Sequence, residues 1–225
     1  CEVYTEVVDV SRAWQVEEFC RNTYRAMGRV DVLVNNAGVG IGGRLEDNSL
    51  EDWRWVLGAN LYGVIHGCHY FYPRMVEQGG GGHIVNIASC AGLVPLPLMV
   101  PYCTSKAAVV NFSETLRAEA AAHRIGVTAV CPGIIATNIT EGDRMRSATR
   151  HSSERQVAER MHRFWHRRGY TPDRVGEAVV RAVERNRAVV PVTPEAAFFD
   201  WLYRLNRRVV LASLTLLIRI FERVI

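Results

Sequence analysis

The chain has 225 residues, of which 48% are hydrophobic and 22% charged, a length and composition that suit one globular domain with a sizeable core. Its net charge of +4 is uneven, because residues 1–140 carry 10 basic and 13 acidic side chains whereas residues 141–225 carry 17 and 10. The six cysteines stand singly, without the CxxC or paired His/Cys spacing of a zinc site, which argues against a metal site and favours free thiols in a cytoplasmic protein.

Predicted strands and helices alternate along most of the chain. Strands are predicted over residues 3–8, 31–35, 83–88, 126–130 and 188–192, and helices over residues 12–27, 50–77, 102–123 and 171–186. Ser11 is the predicted cap of the first helix, and Thr171 caps the last one, with Pro172 in its first turn. The strands are apolar throughout and lack polar alternation, which indicates a parallel sheet covered by helices on both faces.

Polar residues and glycines follow these strands at their carboxyl ends. They are Asp9, residues 36–38, Ser89 and the Pro132-Gly133 pair. Because ligands of open α/β sheets bind at the carboxyl ends of the strands, the sequence predicts one ligand site along this edge.

A second signal comes from the basic residues, which are 26 arginines and a single lysine, Lys106. Lys106 follows Tyr102 by four residues, so on a helix its ammonium can lie beside the phenol. A nearby cation stabilises phenolate and lowers the tyrosine pKa from about 10 toward neutrality, which would make Tyr102 a general acid and base. The alternative is an accidental pair on a solvated helix face.

Taken in order, these features resemble the short-chain dehydrogenase/reductase family over residues 3–192. The matching motifs are Asp9-Val10, Asn35-Asn36-Ala37-Gly38, Asn60, Ser89, Tyr102 with Lys106, Pro132-Gly133 and Thr137. The resemblance implies an α/β fold, a doubly wound, Rossmann-type parallel sheet in three α/β/α layers. It implies a catalytic domain over residues 1–195, with a substrate loop or lid over 138–170, followed by an amphipathic helical tail over 196–225.

The resemblance also implies which residues do the chemistry. Tyr102 would exchange a proton with the substrate oxygen, and Lys106 would bind ribose hydroxyls and lower the tyrosine pKa. Ser89 would hydrogen-bond the substrate oxygen, although it could instead be a simple turn at a strand end. Asn60 would support a proton-relay water near Lys106, with a structural hydrogen bond at a helix bend as its alternative.

The implied cofactor is NAD or NADP, with a slight preference for NADP. At its adenosine end the expected residues are Asp9, Val10, Asn36, Ala37 and Gly38, and at its nicotinamide end Tyr102, Lys106, Pro132, Gly133, Ile135 and Thr137. Asp9 has an alternative role in capping the first helix.

One departure from the family is the missing phosphate-binding motif TGxxxGxG, which follows the first strand in family members. The glycines of residues 38–43 follow a later strand, so we interpret them as a substrate-side loop. The chain thus resembles a family member that lacks its first two strands, and we expect it to bind a dinucleotide weakly. A non-catalytic fragment of this fold is therefore the alternative to an oxidoreductase, and an epimerase or dehydratase of the extended branch is less favoured.

The C-terminal third carries the basic excess. Residues 141–170 are rich in arginine and predict either a solvated helical face or a lid that attracts an acidic or amphiphilic substrate. The tail over 196–225 combines apolar and arginine residues, and its apolar run over 209–218 is too short to span a bilayer. A helix on a membrane surface, a helix on a partner subunit and a cover over the pocket all fit this pattern.

The expected activity is the interconversion of a ketone and a secondary alcohol on a hydrophobic or lipid-like substrate. We expect a homo-oligomer with no nucleic-acid partner and with no metal. We expect a cytoplasmic location, with peripheral membrane contact through residues 196–225 as one of the alternatives above.

Overall fold

The computed structural model describes residues 2–137, residue 139 and residues 170–224. Its centre is a parallel sheet with the strand order β1-β2-β3-β4. The strands are β1 (Val32–Asn35), β2 (Gly82–Ile87), β3 (Ile125–Cys131) and β4 (Val189–Pro191). Val32 pairs with His83, and Gly82 pairs with Ile125, so all the neighbouring strands start at the same end of the sheet. The predicted parallel sheet is confirmed.

Helices cover both faces of this sheet. They are α1 (Ala13–Met27), α2 (Leu50–Leu57), α3 (Gly63–Gln78), α4 (Val100–Ala120), α5 (Pro172–Glu184), α6 (Pro194–Leu205) and α7 (Arg207–Val224). Side chains of α3 and α4 share a core with β2 and β3, whereas Ala182 of α5 packs on Val85 and Val130 of the opposite face. The described residues therefore form the expected three layers.

Two helical regions are divided where the sequence predicted one continuous stretch. The helical stretch predicted over 50–77 is interrupted by a π-helical turn, Gly58–Tyr62, which joins α2 to α3. The helical tail is formed by two helices, of which α6 begins at Pro194 and is capped by the Thr193 side chain. Both features depend on local hydrogen bonds that hydrophobic periodicity does not report.

The strand predicted over residues 3–8 is wrong. This segment forms no ladder with any described strand, and Val3 and Val7 are exposed. Its β-branched residues favour an extended backbone, but a strand also needs a hydrogen-bonded neighbour. Among the described residues the sheet ends at β1, so no such neighbour lies beside it.

The predicted cap of the first helix is also wrong. Arg12 occupies the cap position of α1, and its side chain makes no capping hydrogen bond. The Ser11 hydroxyl instead donates to Asp9 Oδ1 at 2.7 Å, and the Ser11 amide donates to the same oxygen at 3.0 Å. The carboxylate two residues before it thus competes successfully for the serine. Thr171 does occupy the cap position of α5, but its side chain makes no capping hydrogen bond either.

A buried histidine links β2 to β3 and to the loop before β4. His83 Nε2 lies 2.8 Å from Thr128 Oγ1, and the Thr128 hydroxyl donates to the Arg187 carbonyl. Because that hydroxyl donates elsewhere, Nε2 must donate to Thr128 and carry the proton of a neutral ring. Burial, together with the charge of Arg117, lowers the pKa of His83 to about 4.

We expect the stability of the fold to fall on acidification through the titration of His83. The folded-state pKa of about 4 lies below the usual value of 6.5, so between these limits the unfolded chain binds the proton that the folded chain excludes. The free energy of unfolding should therefore drop by about 2 kcal/mol between pH 7.5 and pH 5, as measured by urea denaturation. His83→Gln keeps a donor without titrating and should lose most of this dependence. An unchanged pH dependence in that variant would contradict the assignment.

Candidate active site

A cavity of about 700 Å³ opens at the carboxyl ends of the strands. Most of the predicted site residues line it, namely Asn36, Gly38, Ser89, Tyr102, Lys106, Pro132, Gly133, Ile135 and Thr137. They come from the loops after β1, β2 and β3 and from the first two turns of α4. The topology thus brings together residues that are a hundred positions apart in the sequence.

Four of the predicted residues do not line this cavity, namely Asp9, Val10, Ala37 and Asn60. Val10 and Ala37 line a second, smaller cavity of about 280 Å³, and Asn36 borders both cavities. Asp9 is exposed and lines neither cavity, and the hydrogen bonds from Ser11 hold the pKa of its carboxyl below the usual value. Asp9 thus holds the turn before α1 through Ser11, whereas the cap position of that helix is Arg12.

Asn60 is buried in the π-helical turn, and its side chain clamps the loop after β1. Its Oδ1 accepts from the Val39 amide at 2.7 Å, and its Nδ2 donates to the Val39 carbonyl at 3.0 Å and to Ser105 Oγ at 3.1 Å. The contacts match the structural alternative for this residue, and they act on the wall of the cavity. A π-helical turn widens the helix locally and is frequent at functional sites.

Lys106 is 3% exposed and lies beneath the cavity. Its Nζ donates to the Ile87 carbonyl at 2.8 Å, at the end of β2. Burial lowers the pKa of this ammonium to about 8. A Cβ atom added to Gly38 would lie 3.4 Å from this Nζ and 3.1 Å from Asn60 Oδ1, so glycine keeps the space above both groups open.

Tyr102 is buried one helical turn before Lys106. Burial raises the pKa of Tyr102 to about 12, and the hydrogen bond with Ser89 opposes this only in part. The expectation that Lys106 lowers this pKa is therefore wrong for this structure. The physical reason is the medium, because the loss of water around the buried phenol dominates its pKa.

Ser89 serves the turn that follows β2 and also lines the cavity. Its Oγ accepts from the Ala91 amide at 3.1 Å, which caps the short helical turn Cys90–Gly92. The turn role that we kept as an alternative is thus present, and it places the hydroxyl beside Tyr102. One function does not exclude the other.

The sequence-based prediction missed the apolar part of the cavity wall. It includes Cys90, Leu96, Met99, Ile134, Ile139 and three residues of α5, Val175, Gly176 and Val179. The loop over 93–99 is rich in leucine and proline, which was the available signal. Within it Leu98 has a φ of 63°, and its carbonyl accepts from the Gly43 amide at 2.8 Å. The predicted lid over 138–170 lies almost entirely outside the described residues.

The described residues show neither a metal centre nor a membrane span. Within those ranges, no group of three or more His, Cys, Asp or Glu side chains could hold a metal ion. No helix in the same part of the chain is both long and apolar enough to cross a bilayer.

A parallel sheet between helical layers, with its cavity at the carboxyl ends of the strands, defines a Rossmann-type α/β protein. The family model for the short chain dehydrogenase matches residues 2–147. Since that is more than half of its length, the chain belongs to the short-chain dehydrogenase family.

Known proteins similar to this chain agree with that assignment. The probable oxidoreductase EphD of Mycobacterium tuberculosis is 43% identical over 196 residues, which cover 86% of this chain and 33% of that protein. This chain thus spans about a third of EphD. A short-chain dehydrogenase/reductase from Burkholderia phymatum, solved in complex with NAD, is 32% identical with a TM-score of 0.80, over 90% of this chain and 75% of that one. A gluconate 5-dehydrogenase from Burkholderia cenocepacia, solved with NADP and tartrate, is 29% identical with a TM-score of 0.57, over 60% and 52% of the two chains.

We expect Tyr102 to remain a neutral phenol in the cofactor-free protein over the whole physiological range. With a pKa raised to about 12, it should contribute no tyrosinate absorbance below pH of about 10, seen as the difference between wild type and Tyr102→Phe. Lys106→Met should leave that difference unchanged, because the ammonium does not set the tyrosine pKa here. A difference signal with a midpoint near neutrality would contradict the effect of burial.

Proposed function

We propose that the chain is an NAD(P)-dependent oxidoreductase that interconverts a ketone and a secondary alcohol on a hydrophobic substrate. The observation that carries this proposal is the convergence of Ser89, Tyr102 and Lys106 on one largely apolar cavity. The relatives solved with NAD and NADP support a nicotinamide cofactor and leave both nucleotides as candidates, with NADP the slightly preferred one.

The residues beneath the cavity fit such a cofactor. Among the described residues, Lys106 Nζ donates to the Ile87 carbonyl, and an ammonium has two further N–H groups that can bind ribose hydroxyls. Gly38 has no Cβ, which at that position would lie 3.4 Å from Lys106 Nζ, so glycine leaves this ammonium uncovered on that side. The segment from Pro132 to Thr137 forms the wall on the β3 side, where we place the nicotinamide end.

When bound, the cofactor would supply or accept the hydride, and a residue of the chain would donate or accept the proton. In our proposal Tyr102 Oη donates a proton to the ketone oxygen during reduction and recovers it during oxidation. A phenol with a pKa of about 12 is protonated at neutral pH, which is the form that ketone reduction consumes. Ser89 Oγ holds the substrate oxygen within reach of that phenol, which removes the cost of orienting it.

We infer the substrate class from the rest of the cavity wall. Leu96, Met99 and Ile139 form an apolar surface with no charged group among them. Each methylene that such a surface removes from water contributes about 0.8 kcal/mol, so larger apolar ketones should bind better, by up to about fourfold per methylene. This supports a hydrophobic, lipid-like substrate over a polar one.

Loss of the phenol should abolish the reaction. Reduction of a series of aliphatic ketones of increasing length would be followed by consumption of NADH or NADPH, at millimolar nucleotide because we expect weak binding. Tyr102→Phe should lower kcat by about a hundredfold or more, because the proton donor is lost. Tyr72→Phe, in α3 and away from the cavity, is the matched control and should retain activity.

Two outcomes would count against this function. Turnover by Tyr102→Phe at the wild-type rate would assign the proton to another group. A wild-type chain that consumes neither nucleotide with any ketone would favour the non-catalytic alternative.

The C-terminal helices α6 and α7 expose a surface that could contact a membrane. Phe198, Phe199 and Trp201 of α6 are exposed, with Arg207 and Arg208 in the following helix. An apolar face bordered by arginines is typical of a helix that lies on an anionic membrane surface. We therefore propose peripheral membrane contact through α6 and α7, and we also propose that the protein forms a homo-oligomer.

Membrane contact can be tested with a matched pair of tryptophans. Trp201 is 57% exposed in α6, and Trp14 is 62% exposed in α1. Trp201→Ser should reduce co-sedimentation with anionic vesicles by about fivefold or more, whereas Trp14→Ser should have little effect. Equal pelleting of both variants and the wild type would refute the contact. A fall in molecular mass by light scattering for Trp201→Ser alone would assign the same face to a second copy of the chain.

A further inference from the structure

The start of α6 packs against the cavity wall from behind. Pro132 and Gly133 line the cavity, whereas Thr193 is 2% exposed and lies outside its lining. A Cβ atom added to Gly133 would lie 2.1 Å from Thr193 Oγ1 and 3.1 Å from Glu195 Oε1. The turn after β3 and the first residues of α6 are therefore in direct contact.

The first turn of α6 holds Thr193 in place. Its Oγ1 accepts from the Ala196 amide at 3.4 Å, and its carbonyl accepts from the Ala197 amide at 3.0 Å, so it caps α6. Immediately before it, the Val192 amide donates to the Cys131 carbonyl at 3.1 Å. A rotation of the side chain away from Gly133 would break the cap, so the hydroxyl has little freedom to yield.

Backbone conformation does not explain the glycine at position 133. Among the glycines described, left-handed φ angles occur at Gly28, Gly43 and residues 79–81, and Gly133 is not one of them. Its backbone is therefore open to any residue, and the constraint on this position is steric. The nearest obstacle to a side chain is the Thr193 hydroxyl.

We propose that Thr193 is a positioning residue of the cofactor site. Its hydroxyl sets the spacing between α6 and the Pro132-Gly133 turn, and it imposes glycine at position 133. This inference rests on the proposed function, in which that turn forms the wall at the nicotinamide end. A side chain at position 133 would push the turn away from α6 and into the space for the cofactor.

A double-mutant cycle tests this inference in the full chain. Gly133→Ala should weaken the binding of NADH and NADPH by about tenfold or more, because the added methyl group meets the Thr193 hydroxyl. Thr193→Ala should weaken nucleotide binding a few-fold. The double variant, Gly133→Ala with Thr193→Ala, should bind the nucleotides within about threefold of Thr193→Ala alone. Binding is measured by fluorescence titration of the reduced nucleotides. In ketone reduction, the KM for the nucleotide should change more than kcat.

Two further variants sharpen the result. Gly133→Ala combined with Thr193→Ser keeps the hydroxyl and should stay as weak as Gly133→Ala. Gly176 lines the same cavity, but a Cβ added there would meet no atom within 4 Å. The effects of Gly176→Ala and Thr193→Ala on the free energy of nucleotide binding should therefore be additive.

The inference is overturned if the double variant binds no better than Gly133→Ala, since the cofactor itself would then require the glycine. A wild-type chain that binds neither nucleotide would instead refute the proposed function. In that case the unfolding midpoints without nucleotide still decide the steric claim. The double variant should unfold near the midpoint of Thr193→Ala alone, and a midpoint lowered by the sum of the two single losses refutes the claim.

Discussion

The buried ammonium of Lys106 is the constraint on which the rest of the site depends. A charge that is 3% exposed is costly to bury, and here the carbonyl of Ile87 at the end of β2 partly offsets the loss of water. This bond ties α4 to the sheet at the edge where the loops converge. Two residues leave the ammonium uncovered on the cavity side. Gly38 has no Cβ to approach Nζ, and Asn60 holds the loop that contains this glycine by accepting from the Val39 amide. An arginine could not replace this compact charge in the space available.

The same burial explains why proximity alone misjudged the tyrosine. Helical spacing correctly places Tyr102 and Lys106 on one face, and the sequence contains that information. The spacing does not show how far the phenol is withdrawn from water, because that depends on residues distant in the sequence, such as Ile41, Val56 and Ala91. Withdrawal from water raises the pKa of Tyr102 to about 12 and lowers that of Lys106 to about 8, so each group is shifted toward its neutral form.

Local sequence patterns were sufficient to predict most strands and helices. They failed where an element depends on pairing with a distant part of the chain. The apolar runs at β2 and β3 and the long helix α4 were predictable because each is defined by its own residues. The extended segment over residues 3–8 was not, since a strand exists only with a neighbour. Most of the polar site residues could be predicted from motifs at strand ends. The apolar wall from Leu96 to Ile139 could not, because such side chains are common and only the fold brings these together.

The C-terminal helices belong to this architecture and are not an appendage to it. Ala196 and Val210 are buried, and Thr193 occupies the space that a side chain at position 133 would need. The opposite face of α6 exposes Phe198 and Trp201. One short helix thus touches the cavity wall on its inner side and presents apolar surface on its outer side. Through Thr193, the inner side of α6 is close-packed against the Pro132-Gly133 turn. Contact of the tail with a membrane or a partner would therefore be coupled to the wall at which we place the cofactor.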